Sequence, residues 1–368
     1  MAQHDGDADW LFGPACLVVK IGSSLLIDSD GRPRVDWMRT LTGRLARRQG
    51  PVVLVSSGAI ALGRVALGLD RRPRVLAEAQ AAAAVGQIEL AQLWRQAWAA
   101  ENRAAAQVLL TLGDLDDRRR YLNARATLST LLSRRIVPVI NENDTVATEE
   151  IRFGDNDRLA ARVAQLVDAR HLLLLSDVDG LYTADPTRHP DARHLPQVER
   201  LTPEIDALAG QTRADGVGTG GMRSKLEAAR IATAGGITMV LASGKPDDPL
   251  GELAEGGRHT RFLPGEFRQA ARKQWLRGLA RPCGTLFIDE GAWGALQRGA
   301  SLLAVGVRQI EGRFQRGDLV TLAGPSGPLG QGLSACDSDE LQAMIGQGTS
   351  TAAGGKPPVL HRDDLVLF

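Results

Sequence analysis

The sequence predicts a large α/β domain, with a mainly parallel sheet sandwiched by helices, followed by a small β-rich domain. Three observations predict this. Short apolar runs alternate with segments of helical period through residues 15–245, and polar or glycine-rich clusters follow those runs. Near residue 264 the alternation gives way to short strands broken by turn residues. A chain of 368 residues has room for two such domains, and 43% apolar content supplies a sizeable core.

Leu17, Val18 and Val19 read as a first buried strand leading into Gly22-Ser23-Ser24, after which Trp37, Leu41 and Leu45 fall on one helical face. Residues 52–55 read as the second strand, followed by Ser56-Ser57-Gly58 and helix formers at 59–62. Residues 108–110, 136–140, 172–175 and 238–241 continue the series, and Leu159, Val163, Leu166 and Val167 stripe a helix. In parallel sheets the loops after the strand C-termini gather along one edge, where ligands bind.

Residues 1–14 form an N-terminal extension, whose Asp5, Asp7 and Asp9 lack the basic flank of a signal peptide. The α/β domain spans 15–263. Residues 264–283 read as a linker helix, with Arg268, Arg272, Lys273, Arg277 and Arg281 against Glu266. The β-rich domain, 284–368, has expected strands at 285–288, 302–307, 319–322 and 359–360, with exposed loops at 326–328 and 349–355. No run approaches the length of a membrane span.

The 44 basic and 43 acidic residues nearly cancel, which argues against bulk attraction to nucleic acid or anionic membrane. Cys16, Cys283 and Cys336 are odd in number and lack CxxC spacing, so a disulfide framework or zinc site is not expected, and a reducing cytoplasm fits. Only five of the 44 basic residues are lysines. In an arginine-rich chain a lysine beside a glycine-rich loop, as at Lys20 and Lys225, marks a place for a compact ammonium. Chance is the competing explanation.

No Walker A pattern occurs. Gly216, Gly218 and Gly221 give a GxGxxG, but the polar stretch 211–215 before it makes a poor strand for a dinucleotide fingerprint. Joined to Lys225, the same glycines form a loop feeding a helix from Arg223, where backbone N–H groups can approach phosphate oxygens. A cation in a helix's first turn opposes the macrodipole unless an anion sits there; a mobile loop with a solvated lysine is the plainer alternative. Lys20 to Ser24 offers a similar set, and Ser56 to Ala59 is either a tight helix entry or a backbone nest for an anion. Asn141-Glu142-Asn143-Asp144 and Gly154-Asp155-Asn156-Asp157 are either helix caps or groups that hold an ammonium and organise lysines. Residues 176–182 form a turn or seat a nucleoside. His171 and His194 read as surface or packing residues.

Together these residues resemble the amino-acid kinase family, and within it the branch that phosphorylates the side-chain carboxylate of L-glutamate. The matching blocks are VVKIGSS (18–24), SSGAIALGR (56–64), LLTLGD (109–114), VPVINENDTVAT (137–148), GDNDRLAA (154–161), LLLLSDVDGLYTADP (172–186) and GVGTGGMRSKLEAA (216–229). From Gly284, FIDEGAWGALQRGASLL and GRFQRGDLV resemble a PUA domain. The resemblance implies ATP with Mg²⁺, L-glutamate 5-phosphate as product, the first step of proline biosynthesis, feedback inhibition by proline and a homo-oligomer.

By the same resemblance Lys20 and Lys225 meet the phosphates and Asp157 orients the lysines. Ser57, Asp144 and Asn156 hold glutamate, with Asn141 and Asp155 nearby. Ser176, Asp177, Thr219, Gly220, Gly221, Met222, Arg223, Ser224 and Lys225 hold ATP, with Lys20. Ser56 and Ser176 stand where threonine is common, and Arg223 departs from the glycine-loop pattern. A kinase of the same fold acting on another acidic metabolite is the nearest alternative. RNA binding through the PUA-like part is disfavoured by its six basic against nine acidic residues, a balance of −3.

Overall fold

The computed structural model describes residues 9–28, 31–69, 73, 75–147, 156–209, 221–265, 282–325, 327–346 and 358–368. The expected linker helix falls largely outside these residues, as do the loop at 349–355 and Gly216 to Gly220. The chain divides into two compact units, Met1–Leu115 with Arg125–Arg268, and Asp116–Ala124 with Gln269–Phe368.

The strands of the first unit are β1 (Leu17–Ile21), β2 (Val52–Ser56), β3 (Ala105–Leu110), β4 (Val137–Glu142), β5 (His171–Ser176), β6 (Leu181–Tyr182), β7 (His194–Leu195), β8 (Gln197–Val198), β9 (Thr238–Ser243) and β10 (His259–Phe262). Eight of them build one sheet in the order β3-β4-β2-β1-β5-β9-β10-β8, and β6 and β7 form a separate antiparallel pair. Only β9 and β10 run antiparallel within the large sheet. The helices are α1 (Asp9–Phe12), α2 (Ser23–Leu26), α3 (Val35–Ala46), α4 (Ala59–Ala66), α5 (Leu76–Ala99), α6 (Leu112–Asp116), α7 (Arg118–Ser133), α8 (Asn156–Leu166), α9 (Pro203–Ala209), α10 (Met222–Ala234) and α11 (Pro249–Ala254).

Strand period two explains where the first lysine goes. Leu17, Val19 and Ile21 of β1 enter the core with Trp37, Leu41 and Leu45 of α3 and Leu90, Trp94 and Trp98 of α5. Val18 and Lys20 therefore face the other side of the sheet, the side on which α8 packs against β1. The strand order turns around at β1, which has β2 on one side and β5 on the other. Such a switch point opens a crevice at the strand C-termini.

Three clusters expected in loops begin inside strands. Lys20 pairs with Val55 and Ile21 with Ser56, so β1 runs on to Ile21. Likewise β4 reaches Asn141 and Glu142, opposite Leu109 and Leu110, and β5 reaches Ser176, opposite Ser243. Continued pairing with parallel neighbours fixes these polar backbones, which apolar runs alone do not reveal.

Helix α5 has no counterpart among the expected elements. It packs on α4 at unusually close range: a Cβ on Gly63 would overlap the Ala82 carbonyl, and one on Gly86 would overlap that of Ala59. Residues 9–14 of the expected N-terminal extension pack onto the first unit. Leu11 is buried with the main core, and the buried Arg48 guanidinium donates to the carbonyls of Trp10, Leu11, Gly13 and Ala15.

The second unit carries a mixed sheet of β11 (Gly284–Ile288), β12 (Val307–Gly312), β13 (Leu319–Gly324), β14 (Gly327–Ser334) and β15 (Leu360–Leu367), in the order β12-β11-β13-β14-β15. Helices Glu290–Gln297 and Ser338–Gly346 accompany it. The expected strand at 302–307 is corrected: Leu302 makes only an isolated bridge to Leu360, and Ala304–Gly306 is a 3-10 turn. Gly327 and Pro328 open β14 instead of forming a loop. Gly327 has φ 120°, and Pro328 sits beside a register irregularity, where a missing N–H is tolerated. In this unit Leu122, from the first turns of α7, packs against Leu319, Leu333 and Val366.

Candidate functional site

Two clusters meet at the first turn of α8. The charged one is built on Asp157, only 1% exposed. Its Oδ1 lies 2.5 Å from Lys20 Nζ at the end of β1, and its Oδ2 lies 3.2 Å from Lys225 Nζ in the first turns of α10. Ser224 Oγ donates to Oδ2 at 3.2 Å. Both lysines are buried. Burial alone would raise the Asp157 carboxyl, but the Lys20 ammonium and then that of Lys225 outweigh it and hold the group well below the usual carboxylate range.

Among the described residues, two buried ammoniums share one buried carboxylate, and positive charge gathered in this way suits an anionic ligand. Gly221 is the N-cap of the helix that carries Lys225, so the positive end of that helix lies close to the lysine.

The second cluster is neutral. Asn156, the residue before Asp157, donates from Nδ2 to Ser57 Oγ at 2.7 Å and to Asn141 Oδ1 at 3.4 Å. Asn141 Nδ2 in turn donates to Gln87 Oε1 of α5 at 2.5 Å. Asn156 Oδ1 is buried and has no hydrogen-bond partner among the described residues. Ser57 leads into Gly58, whose φ of 113° requires glycine and turns the chain sharply into α4. Trp94 Nε1, also from α5, donates to Ser56 Oγ at 2.8 Å. The strand ends, a helix start and one long helix thus converge on a few polar side chains.

Of the expected site residues, Lys20, Asp157, Ser224 and Lys225 come together, and Ser57, Asn141 and Asn156 come together. Adjacency in sequence joins the two groups. Ser176 and Asp177 stand at the end of β5, the strand beside β1, with Ser176 Oγ donating to Asp177 Oδ1 at 2.9 Å. Asp144 is half-buried in the turn after β4, two residues beyond the strand. Gly221 and Met222 stand at the start of α10, whereas the Arg223 side chain is 86% exposed and pairs with Glu227 at 3.6 Å. Asp155, Thr219 and Gly220 lie outside the described residues. Gln87, Gln80 and Trp94 were not foreseen, since their partners are set by tertiary contact.

The chain is matched by the model of the "Amino acid kinase family" over residues 15–243 and by that of the "PUA domain" over 284–351. It is 52% identical over 361 residues to a glutamate 5-kinase of Paramagnetospirillum magneticum, covering 95% of this chain and 97% of the relative. It is 51% identical over 361 residues to a glutamate 5-kinase of a Bradyrhizobium species, covering 95% of both.

Proposed function

The chain belongs to the amino acid kinase family, and from that premise we infer that it moves the γ-phosphoryl group of ATP onto the side-chain carboxylate of L-glutamate. The product is L-glutamate 5-phosphate, and the reaction is the first step of proline biosynthesis. One observation supports the assignment of roles: Asn156 and Asp157, side by side, anchor a neutral cluster, read as the substrate side, and a charged one, read as the phosphate side.

The acceptor carboxylate, with a pKa of about 4.3, is already ionised at neutral pH, so no general base is required. A carboxylate oxygen attacks the γ-phosphorus, the bond from that phosphorus to the bridging oxygen breaks, and ADP leaves. The obstacle is repulsion between two anions together with their alignment. Lys20 and Lys225 supply the charge, with Asp157 fixing both ammoniums and keeping their number of free orientations small. ATP enters with Mg²⁺ as co-substrate, and the metal neutralises part of the triphosphate.

Ser57, Asp144 and Asn156 hold glutamate, with Asn141 and Asp155 beside them. The buried, unpartnered Asn156 Oδ1 supports this, because an acceptor in that condition suits the substrate ammonium. ATP is held by Lys20, Ser176, Asp177 and the segment 219–225, through backbone N–H groups at Arg223, given its outward side chain. Residues 15–263 form the kinase part and 284–368 the PUA part, joined by 264–283, with proline as feedback inhibitor of a homo-oligomer. A cytoplasmic location accords with the unpaired Cys16, Cys283 and Cys336; no helix among the described residues is long and apolar enough to cross a membrane.

The test is glutamate-dependent ATP turnover in the presence of hydroxylamine. Trapping of the acyl phosphate as the hydroxamate is the expected result. No hydroxamate from glutamate, with good yield from aspartate, N-acetylglutamate or another acid, would overturn the reading.

A further inference from the structure

Helix α5 touches the substrate cluster through one line of side chains. Gln80, Gln87 and Trp94 are seven residues apart, and seven residues fall about 20° short of two full turns, so the three share a face. Each grips a different element: Gln80 Nε2 donates to the Ala147 carbonyl at 3.3 Å, Gln87 Oε1 accepts from Asn141, and Trp94 donates to Ser56.

We propose that Gln87 is a positioning residue for recognition of the amino-acid substrate, acting through Asn141 on Asn156. Hydrogen-bond polarity assigns this role, which rests on the glutamate reading of the site. Because Gln87 Oε1 takes the Asn141 amide hydrogen, Asn141 must present its oxygen to Asn156. Asn156 then spends both hydrogens of its own amide, on Asn141 Oδ1 and Ser57 Oγ. Its Oδ1 remains as a buried acceptor with no hydrogen-bond partner among the described residues. Without the Gln87 acceptor, Asn141 is free to rotate and set its NH₂ against the NH₂ of Asn156. That clash is relieved by turning Asn156 over, which removes the acceptor from the substrate.

Gln87→Met keeps the length of the side chain and removes the acceptor. Its KM for glutamate should rise about tenfold, the scale of one orienting hydrogen bond, while KM for ATP stays at its wild-type value. In an Asn141→Ala background the same substitution should add less than about twofold, since residues acting through one another are not additive. Gln87→Glu retains an acceptor oxygen and should stay within about threefold of wild type, which also covers the case of a Met variant that does not fold. An unchanged glutamate KM in Gln87→Met, an equal rise in KM for ATP, a full multiplicative effect on Asn141→Ala, or a Glu variant as impaired as the Met variant would each overturn the proposal. Wild-type protein that yields no hydroxamate from glutamate would defeat the functional reading instead, so the two failures are told apart.

Discussion

The two sides of the α8 N-terminus differ in kind. On one side three charged groups, Lys20, Asp157 and Lys225, crowd together. On the other, Ser57, Asn141, Asn156 and Gln87 are linked by neutral donors and acceptors. The charged side suits an anion whose charge shifts during reaction, since buried ammoniums respond strongly to where charge develops. The neutral side suits a molecule that must be turned the right way round, since amides carry direction without bulk charge. On the proposed reading, adjacent residues of one helix turn divide charge stabilisation from orientation.

The harshest way to break this division is Asp157→Asn. Two buried ammoniums would lose their shared counter-ion, a change that costs about 3–5 kcal/mol when a buried pair is broken. Calorimetry should show a markedly lower Tm, and turnover should be lost. The acid side of the stability curve sharpens the point. The native carboxyl is held far below the unfolded value of about 3.9, so its stabilisation is complete above that value and is lost as pH falls below it. Asp157→Asn should flatten that part of the curve; an unaltered acid limb would mean the carboxylate is not held as described.

Next come Lys20→Arg and Lys225→Arg. Charge is preserved, yet a planar fork does not fit where a compact ammonium meets one carboxylate oxygen, so kcat should fall about a hundredfold or more. Near-normal turnover in both would erase the distinction between point charge and simple positive potential. On the neutral side Asn156→Ala and Asp144→Asn should raise KM for glutamate much more than KM for ATP, by about tenfold for the amide and more for the charged partner. Equal effects on both substrates would make these residues parts of the fold.

The smallest effect on chemistry is expected from truncation after Leu263. Steady-state kinetics should find glutamate phosphorylation retained within a few-fold, with altered response to proline or Mg²⁺. A folded product that binds ATP without phosphorylating glutamate would end the modular reading. Truncation also uncovers Leu122, which packs with Leu319, Leu333 and Val366, so a lower Tm should accompany the retained activity.

Much of the sheet was legible because buried parallel strands are written as short apolar runs, and Leu172 to Leu175 or Val52 to Val55 allow little else. The charged cluster was legible through scarcity: an arginine-rich chain places two of its few lysines beside glycine loops. Helix α5 was not legible, because its alanines sit on several faces and blur the contrast between buried and exposed sides. With it went Gln87 and Trp94, whose partners are set by tertiary contact alone. In the second unit β14 was hidden by Gly327 and Pro328, residues that signal turns but here occupy an irregular strand opening. The membership of 116–124 in that unit left no mark in composition, since contact across the chain decides it.

The glycines at 63 and 86 set a dimension. They let the backbones of α4 and α5 touch, so the distance from α5 to the strand ends is fixed by bare main chain and not by side chains that can readjust. Gln87 follows Gly86 directly, and α4 follows Ser57 and Gly58 directly, so the same contact gauges both ends of the amide chain. Even one added methyl at either glycine would act as a shim. It would widen the gap in which Asn141 and Asn156 are clamped, and drift at positions that never meet a substrate would be read out as a loss of fit for one.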